Sequence, residues 1–395
     1  MIRSAEIAGR NAVPRWRRQW RALLLAPLLL LLWTCGPTVD TGIGDVELRL
    51  ARLAPPRPAS LQVGAEASAP AQFTDSEFIA ADGARLPLRK WLPKGRVAAV
   101  ILALHGFGDY SNAFEMPAQV WAARGIATYA FDQRGFGGAP GRGLWPGEAQ
   151  LAVDAISASR ILQIAHPGRP LYLLGESMGG AVAILATTGA ISGVTAGPPG
   201  MPAGLPGSSG IMSADADGII LSAPAVWGRA TMDLLPKLAL FAGVRLFPEM
   251  ILTGRGLRIL ASDNIPMLRA LARDPLVLKG ARVDMVFGLV DLMDGALAAA
   301  PRLEAPTLLL YGAHDAIVPR PALEGFVAQL PADPGHRRRL AYYPRGYHLL
   351  LRDLDGATVA GDVASWIEDR AAPLPSRADA AETAKPWPPP RDPNR

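Results

Sequence analysis

Five apolar runs without polar alternation constrain this chain more than anything else in it. They cover residues 97–104, 125–131, 170–174, 218–221 and 306–310, and each ends at a short turn segment carrying Gly, Pro or Asp. A strand with one face in water alternates apolar and polar side chains. An unbroken apolar run of this length suits a strand covered on both faces. Between the runs, 148–165 and 180–188 have helical spacing and no internal proline. Buried strands alternating with helices predict an α/β architecture with a mostly parallel, doubly wound sheet. Upstream, 73–92 contains Asp82-Gly83 and predicts an antiparallel hairpin on the sheet edge, because Asp-Gly is a strong turn signal.

Half the chain is hydrophobic and 19% is charged, which is ample for a core and excludes global disorder. The net charge of +5 would suit a nucleic-acid partner were it spread over the body. It is not: residues 1–35 hold six arginines and one glutamate, the whole of the excess, and the remainder is neutral. No nucleic-acid partner is expected. In that leader a basic stretch ends at Arg21, an apolar run follows over 22–33, and Cys35 comes just after. The run is too short for a hydrocarbon core that needs roughly 20 residues, and a basic region before a short apolar one is the layout of an export signal. Cys35 is the one cysteine, so no intrachain disulfide is possible. The segment Leu32-Trp33-Thr34-Cys35-Gly36 resembles a bacterial lipoprotein signal, which implies a lipidated Cys35. An ordinary signal, or an uncleaved anchor that contains a cysteine, is the alternative. The expected location is the bacterial cell envelope, with the membrane surface met through the N-terminus.

Residues 36–72, rich in Pro, Ala and Gly, are expected to form a spacer, and 371–395, with seven prolines, a disordered tail. The globular body is therefore 73–370. Within it, 189–218 has eight glycines and four prolines and is expected to be a long loop. Residues 227–301 are aliphatic and helix-patterned, and predict a cap inserted over the sheet's carboxyl edge.

Gly175-Glu176-Ser177-Met178-Gly179 follows a buried run directly and opens a helix, the context in which G-x-S-x-G makes a nucleophile elbow. The glycines two before and two after Ser177 leave room for a tight strand-to-helix turn that lifts the hydroxyl clear of the backbone. Serine needs a base to take its proton. Of five histidines, His348 alone stands in a loop after the last strand-like run, where the order Ser, Asp, His of this motif puts the base. His105 sits at a strand end, His166 in a His-Pro-Gly turn, His314 beside Asp315 and His336 in a basic run. The base in turn needs an acid to fix its tautomer. Asp315 follows the run 306–310 in the loop Tyr311-Gly312-Ala313-His314-Asp315, which places it at the carboxyl edge with the elbow. Asp353 and Asp355, close to His348 in sequence, are assigned to the helix that follows it. The oxyanion of acyl transfer needs two donors, and the amides of Met178, just after the serine, and Phe107, in the loop after an earlier strand, are expected to supply them.

Together these residues resemble the monoacylglycerol lipase and lysophospholipase group of α/β hydrolases, also called serine aminopeptidase-like hydrolases. The matching pieces are Asp82-Gly83 through Trp91-Leu92-Pro93, His105-Gly106-Phe107-Gly108-Asp109 and Asp132-Gln133-Arg134-Gly135-Phe136-Gly137, followed by the elbow with Gly180, Tyr311 to Asp315, and Gly346-Tyr347-His348. They stand in the family's order over about 82–353. The resemblance implies an α/β-hydrolase fold, a small helical cap, no cofactor and no metal. It also implies Ser177, Asp315 and His348 as a catalytic triad, Phe107 and Met178 as oxyanion donors, and Asp132 and Arg134 as loop-shaping residues. The implied activity is hydrolysis of a single-chain lipid ester, an acylglycerol or lysophospholipid, through an acyl-serine intermediate. The 189–218 insertion and the cap depart from the family pattern. Alternatives are a short-chain carboxylesterase, a haloperoxidase-like hydrolase, or a peptidase that would use cap acids such as Asp233, Glu249 or Asp263 to hold a free amine. A catalytically inactive envelope-binding module would require loss of a triad member, and all three are present.

Overall fold

The computed structural model describes residues 70–191, 213–254, 259–333, 335 and 337–380. The leader, Cys35 and nearly all of the expected spacer lie outside the described residues, as do His336 and most of the 189–218 stretch. Nine strands form one sheet: β1 (Gln72–Phe73), β2 (Glu77–Ile79), β3 (Arg85–Trp91), β4 (Ala99–Leu104), β5 (Ile126–Phe131), β6 (Leu171–Glu176), β7 (Gly218–Ser222), β10 (Thr307–Gly312) and β11 (Arg338–Tyr343). Their spatial order is β1-β2-β3-β5-β4-β6-β7-β10-β11. The six strands from β5 to β11 are parallel, and β1, β2 and β3 add an antiparallel edge. The expected hairpin is β2–β3, and Gly83 takes the turn at φ 81°. Two short strands, β8 (Ile251–Leu252) and β9 (Ala281–Arg282), pair separately.

The unbroken apolar runs are explained by two cores. Alternate residues of β4 feed opposite sides: Val100, Leu102 and Leu104 enter one cluster, and Ala99, Ile101 and Ala103 the other. On the first side pack α2 (Glu148–Ala165), α3 (Met178–Thr188) and α6 (Val283–Ala299). The second side is covered by α1 (Glu115–Ala123) and α8 (Gly356–Glu368), where Trp121 Nε1–H donates to the Ala360 carbonyl at 2.9 Å. Helix α7 (Arg320–Gln329) joins β10 to β11. This is the α/β-hydrolase fold, a mostly parallel doubly wound sheet.

Two expected boundaries are corrected. The cap expected over 227–301 divides: α6 packs on α3 in the helix layer of the sheet and most of its residues are buried. The stretch before it, with α4 (Leu234–Leu246), α5 (Ile265–Arg273) and the β8–β9 ribbon, meets the carboxyl-edge loops instead: the Leu278 amide donates to the Gly108 carbonyl at 2.8 Å and the Leu349 amide to the Ala261 carbonyl at 2.9 Å. Sequence does not separate the two parts, because helix periodicity does not say what covers the apolar face. The expected disordered tail begins too early. Leu374 is buried, the Ser376 amide donates to Asp362 at 3.0 Å, and Asp379 pairs with Arg339 at 3.0 Å. Residues 371–380 are therefore part of the folded body, held by one buried leucine and buried polar partners; 381–395 lie outside the described residues.

Candidate active site

Strand register carries the site to one edge. Leu104 of β4 pairs with Gly175 of β6, Glu176 with Ser222 of β7, and Ser222 with Leu310 of β10. Gly312 pairs in turn with Tyr343 of β11. The chain therefore leaves five parallel strands at nearly one level, and the loops that follow meet at their carboxyl ends. The strand order β5-β4-β6 makes β4 the place where crossovers diverge, the usual crevice of an open α/β sheet.

Ser177 stands between β6 and α3 with φ 52° and ψ −115°, a backbone conformation that costs a non-glycine residue about 1–3 kcal/mol. Its surroundings over-determine it. The Ser177 amide donates to the Ser222 carbonyl at 2.9 Å, and its carbonyl accepts from Ala225 at 2.9 Å. A Cβ on Gly175 would strike the Gly179 carbonyl, and one on Gly179 would strike the Leu104 carbonyl. Both glycines are thus steric requirements of the turn. Met178 is the first residue of α3, where helix amides have no intrahelical partner. The loop carrying Phe107 lies beside the serine: a Cβ on Gly106 would sit 3.4 Å from Ser177 Cβ. Gly108 turns that loop at φ 80°, and the Phe107 ring packs edge-on against Phe136 with centroids 5.3 Å apart.

Asp315 and His348 are brought together across 33 residues. His348 Nδ1–H donates to Asp315 Oδ2 at 2.9 Å, and both side chains are buried. Asp315 Oδ1 accepts from the amides of Ile317 and Val318 at 2.8 and 3.0 Å, which fixes the carboxylate. Gly312 is where the two loops touch, since a Cβ there would strike Gly346. Burial by itself would push the His348 pKa down. The charge and hydrogen bond of Asp315, with the Glu176 carboxylate behind them, outweigh it and hold the imidazole above its ordinary value.

The other described histidines, His105, His166 and His314, are spent elsewhere. His105 is fully buried, its Nδ1–H donates to the Gly106 carbonyl at 2.9 Å, and its Nε2 accepts from the Gln133 amide at 2.9 Å. Burial pushes its pKa down. His166 meets the Tyr129 hydroxyl at 2.8 Å, and the His314 ring stacks on Tyr347. Arg134 is clamped between Asp82 and Asp154, each contacted at 2.7 Å, and Asp132 accepts from the Ser111 amide and hydroxyl and the Gly138 amide. Asp355 sits at the N-terminal cap of α8, but Asp353 precedes the helix, contrary to expectation. Its carboxylate accepts from the Tyr347 amide at 2.7 Å and the Ser262 hydroxyl at 2.6 Å, tying the His348 loop to the cap. Of the cap acids considered for amine recognition, Asp263 accepts from the Leu354 amide at 2.8 Å and Glu249 faces Arg282 at 3.5 Å. Asp233 sits at the N-cap position of α4.

Three groups escaped the sequence reading. Arg352, four residues after His348, donates from Nη1 to Asp109 at 2.7 Å and from Nη2 to Glu176 at 2.6 Å, all three being buried. No spacing signal joins positions 109, 176 and 352. Among the described residues, no group of three or more His, Cys, Asp or Glu could hold a metal ion.

A strained elbow serine at the carboxyl edge of this sheet, with a histidine–aspartate pair joined across two loops of the same edge, defines an α/β hydrolase. Residues 95–196 and 210–355 match the family described as serine aminopeptidase, S33, and the chain belongs to that family. It is 28% identical to the mouse (Mus musculus) monoglyceride lipase over 300 residues, 75% of this chain and 90% of that protein. It is 25% identical to the monoacylglycerol lipase of Mycolicibacterium smegmatis over 298 residues, 74% of this chain and 96% of that protein. The fold is shared with a soluble variant of monoglyceride lipase from Saccharomyces cerevisiae, solved in complex with a substrate analog. There the TM-score is 0.55 at 20% identity, covering 80% of this chain and 98% of that one.

Proposed function

We propose that this α/β hydrolase is a serine esterase that cleaves single-chain lipid esters, a monoacylglycerol or a lysophospholipid, through an acyl intermediate on Ser177. The observation that carries the reading is the 2.9 Å Asp315–His348 bond on the same sheet edge as the strained serine. With Nδ1–H held by Asp315, the His348 Nε2 is the free basic atom. It takes the Ser177 proton as Oγ bonds to the ester carbonyl carbon, and the resulting oxyanion accepts from the Phe107 and Met178 amides. Collapse breaks the bond to the leaving alcohol, which receives the proton from His348. Water then loses a proton to the same imidazole, attacks the acyl carbon and releases the fatty acid and Ser177.

Two observations support a lipid acyl chain over a small one. The relatives above are named as monoglyceride or monoacylglycerol lipases. The cap also keeps large apolar side chains in the open, Leu235 at 58%, Leu246 at 68% and Phe247 at 59% exposure. A free-amine site is less well supported, because Asp263 and Glu249 are already engaged. Hydrolysis of glycerol and lysophospholipid esters across acyl lengths tests the substrate class, and a preference for acetyl or butyryl esters would defeat it. Ser177→Ala should abolish fluorophosphonate labelling and lower kcat by roughly 10⁶-fold.

The leader supports an envelope location, with Cys35 as the lipidated residue. Mass spectrometry of the mature N-terminus from membranes tests this; an unmodified cysteine or a different first residue excludes lipidation. Among the described residues no helix is long and apolar enough to cross a membrane.

A further inference from the structure

We propose that Arg352 is a positioning residue for this reaction: one buried guanidinium fixes the loop that carries His348 against both the nucleophile elbow and the oxyanion loop. The inference rests on the serine-esterase reading above. Its three members come from the end of β6, where the elbow begins, and from two of the loops that meet at the carboxyl edge. Glu176 is the residue before Ser177. Asp109 closes the 105–109 loop, in which Gly106 lies against Ser177 and Phe107 offers its amide. Arg352 ends the turn Leu350–Arg352 that follows His348. Its Nη1 and Nη2 reach Asp109 at 2.7 Å and Glu176 at 2.6 Å, so a single planar fork sets the spacing of all three segments. Asp109 also accepts from the Tyr110 amide at 2.9 Å, and the Arg352 carbonyl accepts from Asn264 at 3.0 Å, which extends the brace into the cap.

Stability alone does not account for this arrangement. Taking two carboxylates and a guanidinium out of water is expensive, and apolar residues of similar volume often stabilise a fold as well or better. Here Glu176 Oε2 and Arg352 Nε have no hydrogen-bond partner among the described residues, a further expense. What the fork supplies that apolar packing does not is direction. Two hydrogen bonds of fixed geometry hold the elbow and the oxyanion loop at set distances from the chain that carries the base. The group also acts on the base by charge, since Glu176 pushes the His348 pKa up and Arg352 pushes it down.

The test compares Arg352→Lys and Arg352→Met with wild type, with active sites counted by fluorophosphonate titration carried to completion. Lysine keeps the charge but cannot span both carboxylates. Both variants should lose kcat per titrated serine by about 10- to 100-fold with KM nearly unchanged, the scale expected when a reacting group is misplaced by about an ångström. The acid limb of the Arg352→Lys pH profile should stay where it is. Should Arg352→Met fail to fold around two unpaired carboxylates, Asp109→Asn/Glu176→Gln/Arg352→Met removes every charge of the group and should show the same loss. Arg345→Ala, on the same loop but exposed and paired with Asp355, serves as the control with wild-type turnover. Fewer titratable serines with a wild-type kcat for each would overturn the proposal, since that is what a purely structural role gives. If wild-type protein is not labelled at Ser177, the esterase reading fails instead. If it is labelled and the Arg352 variants turn over at full rate, only the positioning role fails.

Discussion

The imidazole of His348 is pulled two ways. Burial favours its neutral form, while Asp315 and Glu176 favour the cation, and the second influence wins. As the proposed general base, His348 must be neutral to take the Ser177 proton, so the raised pKa should place the acid limb of kcat/KM above the ordinary histidine value of 6.5. Asp315→Asn removes the main group holding the cation. The limb should then shift to lower pH, and kcat should fall by roughly 10⁴-fold because the tautomer is no longer fixed. A pH profile of the variant whose limb does not move acidward contradicts this electrostatic account. At this scale the placement of groups with a positional rule is legible in the sequence. Ser177, Asp315 and His348 each follow a strand-like run, and a strand end is legible from composition. Glu176, Asp109 and Arg352 obey no such rule, because a buried ion group depends on which loops meet.

Elements are held to one another through glycines more than through any helix cap. Gly179 lies where α3 crosses the end of β4, and an added methyl there would drive into the Leu104 carbonyl. Gly179→Ala should push α3 from the sheet, cost about 1–3 kcal/mol and slow Ser177 labelling, measured by urea unfolding and fluorophosphonate kinetics. The opposite is expected for Gly361 in the middle of α8, where an added methyl meets nothing within 4 Å. Gly361→Ala should stabilise by about 0.5–1 kcal/mol with activity unchanged. The sequence could not rank these two glycines, since both sit in helical stretches and only their neighbours differ. It also passed over α1, a nine-residue helix with Pro117 in its first turn, whose strongest credential is a tertiary one, the buried Trp121 bonded to α8.

For the molecule as a whole, the described residues beyond α8, 369–380, are structural. Leu374 is 1% exposed in the cluster that α8 and β11 share, and Asp379 and Ser376 close over Arg339 and Asp362. Leu374→Ala should cost about 2–5 kcal/mol, read from the urea midpoint. A midpoint equal to wild type would return this segment to the status of an unpacked tail. The proline content of 371–395 suggested such a tail, but composition averages over a stretch, and one buried leucine with two polar partners in the right places pins its first ten residues.

By itself the sequence determined what is local and periodic. Unbroken apolar runs require strands covered on both faces, glycines around Ser177 require an elbow, and Asp82-Gly83 requires a hairpin; each is a constraint within a few residues, so it can be read without neighbours. The tertiary structure decided everything that depends on which distant segments touch. It made α6 part of the helix layer while leaving the equally aliphatic α4 outside it, with few of its residues buried. It also delivered Asp315 to His348, and Arg352 to Glu176 and Asp109, through a strand register that no single segment encodes.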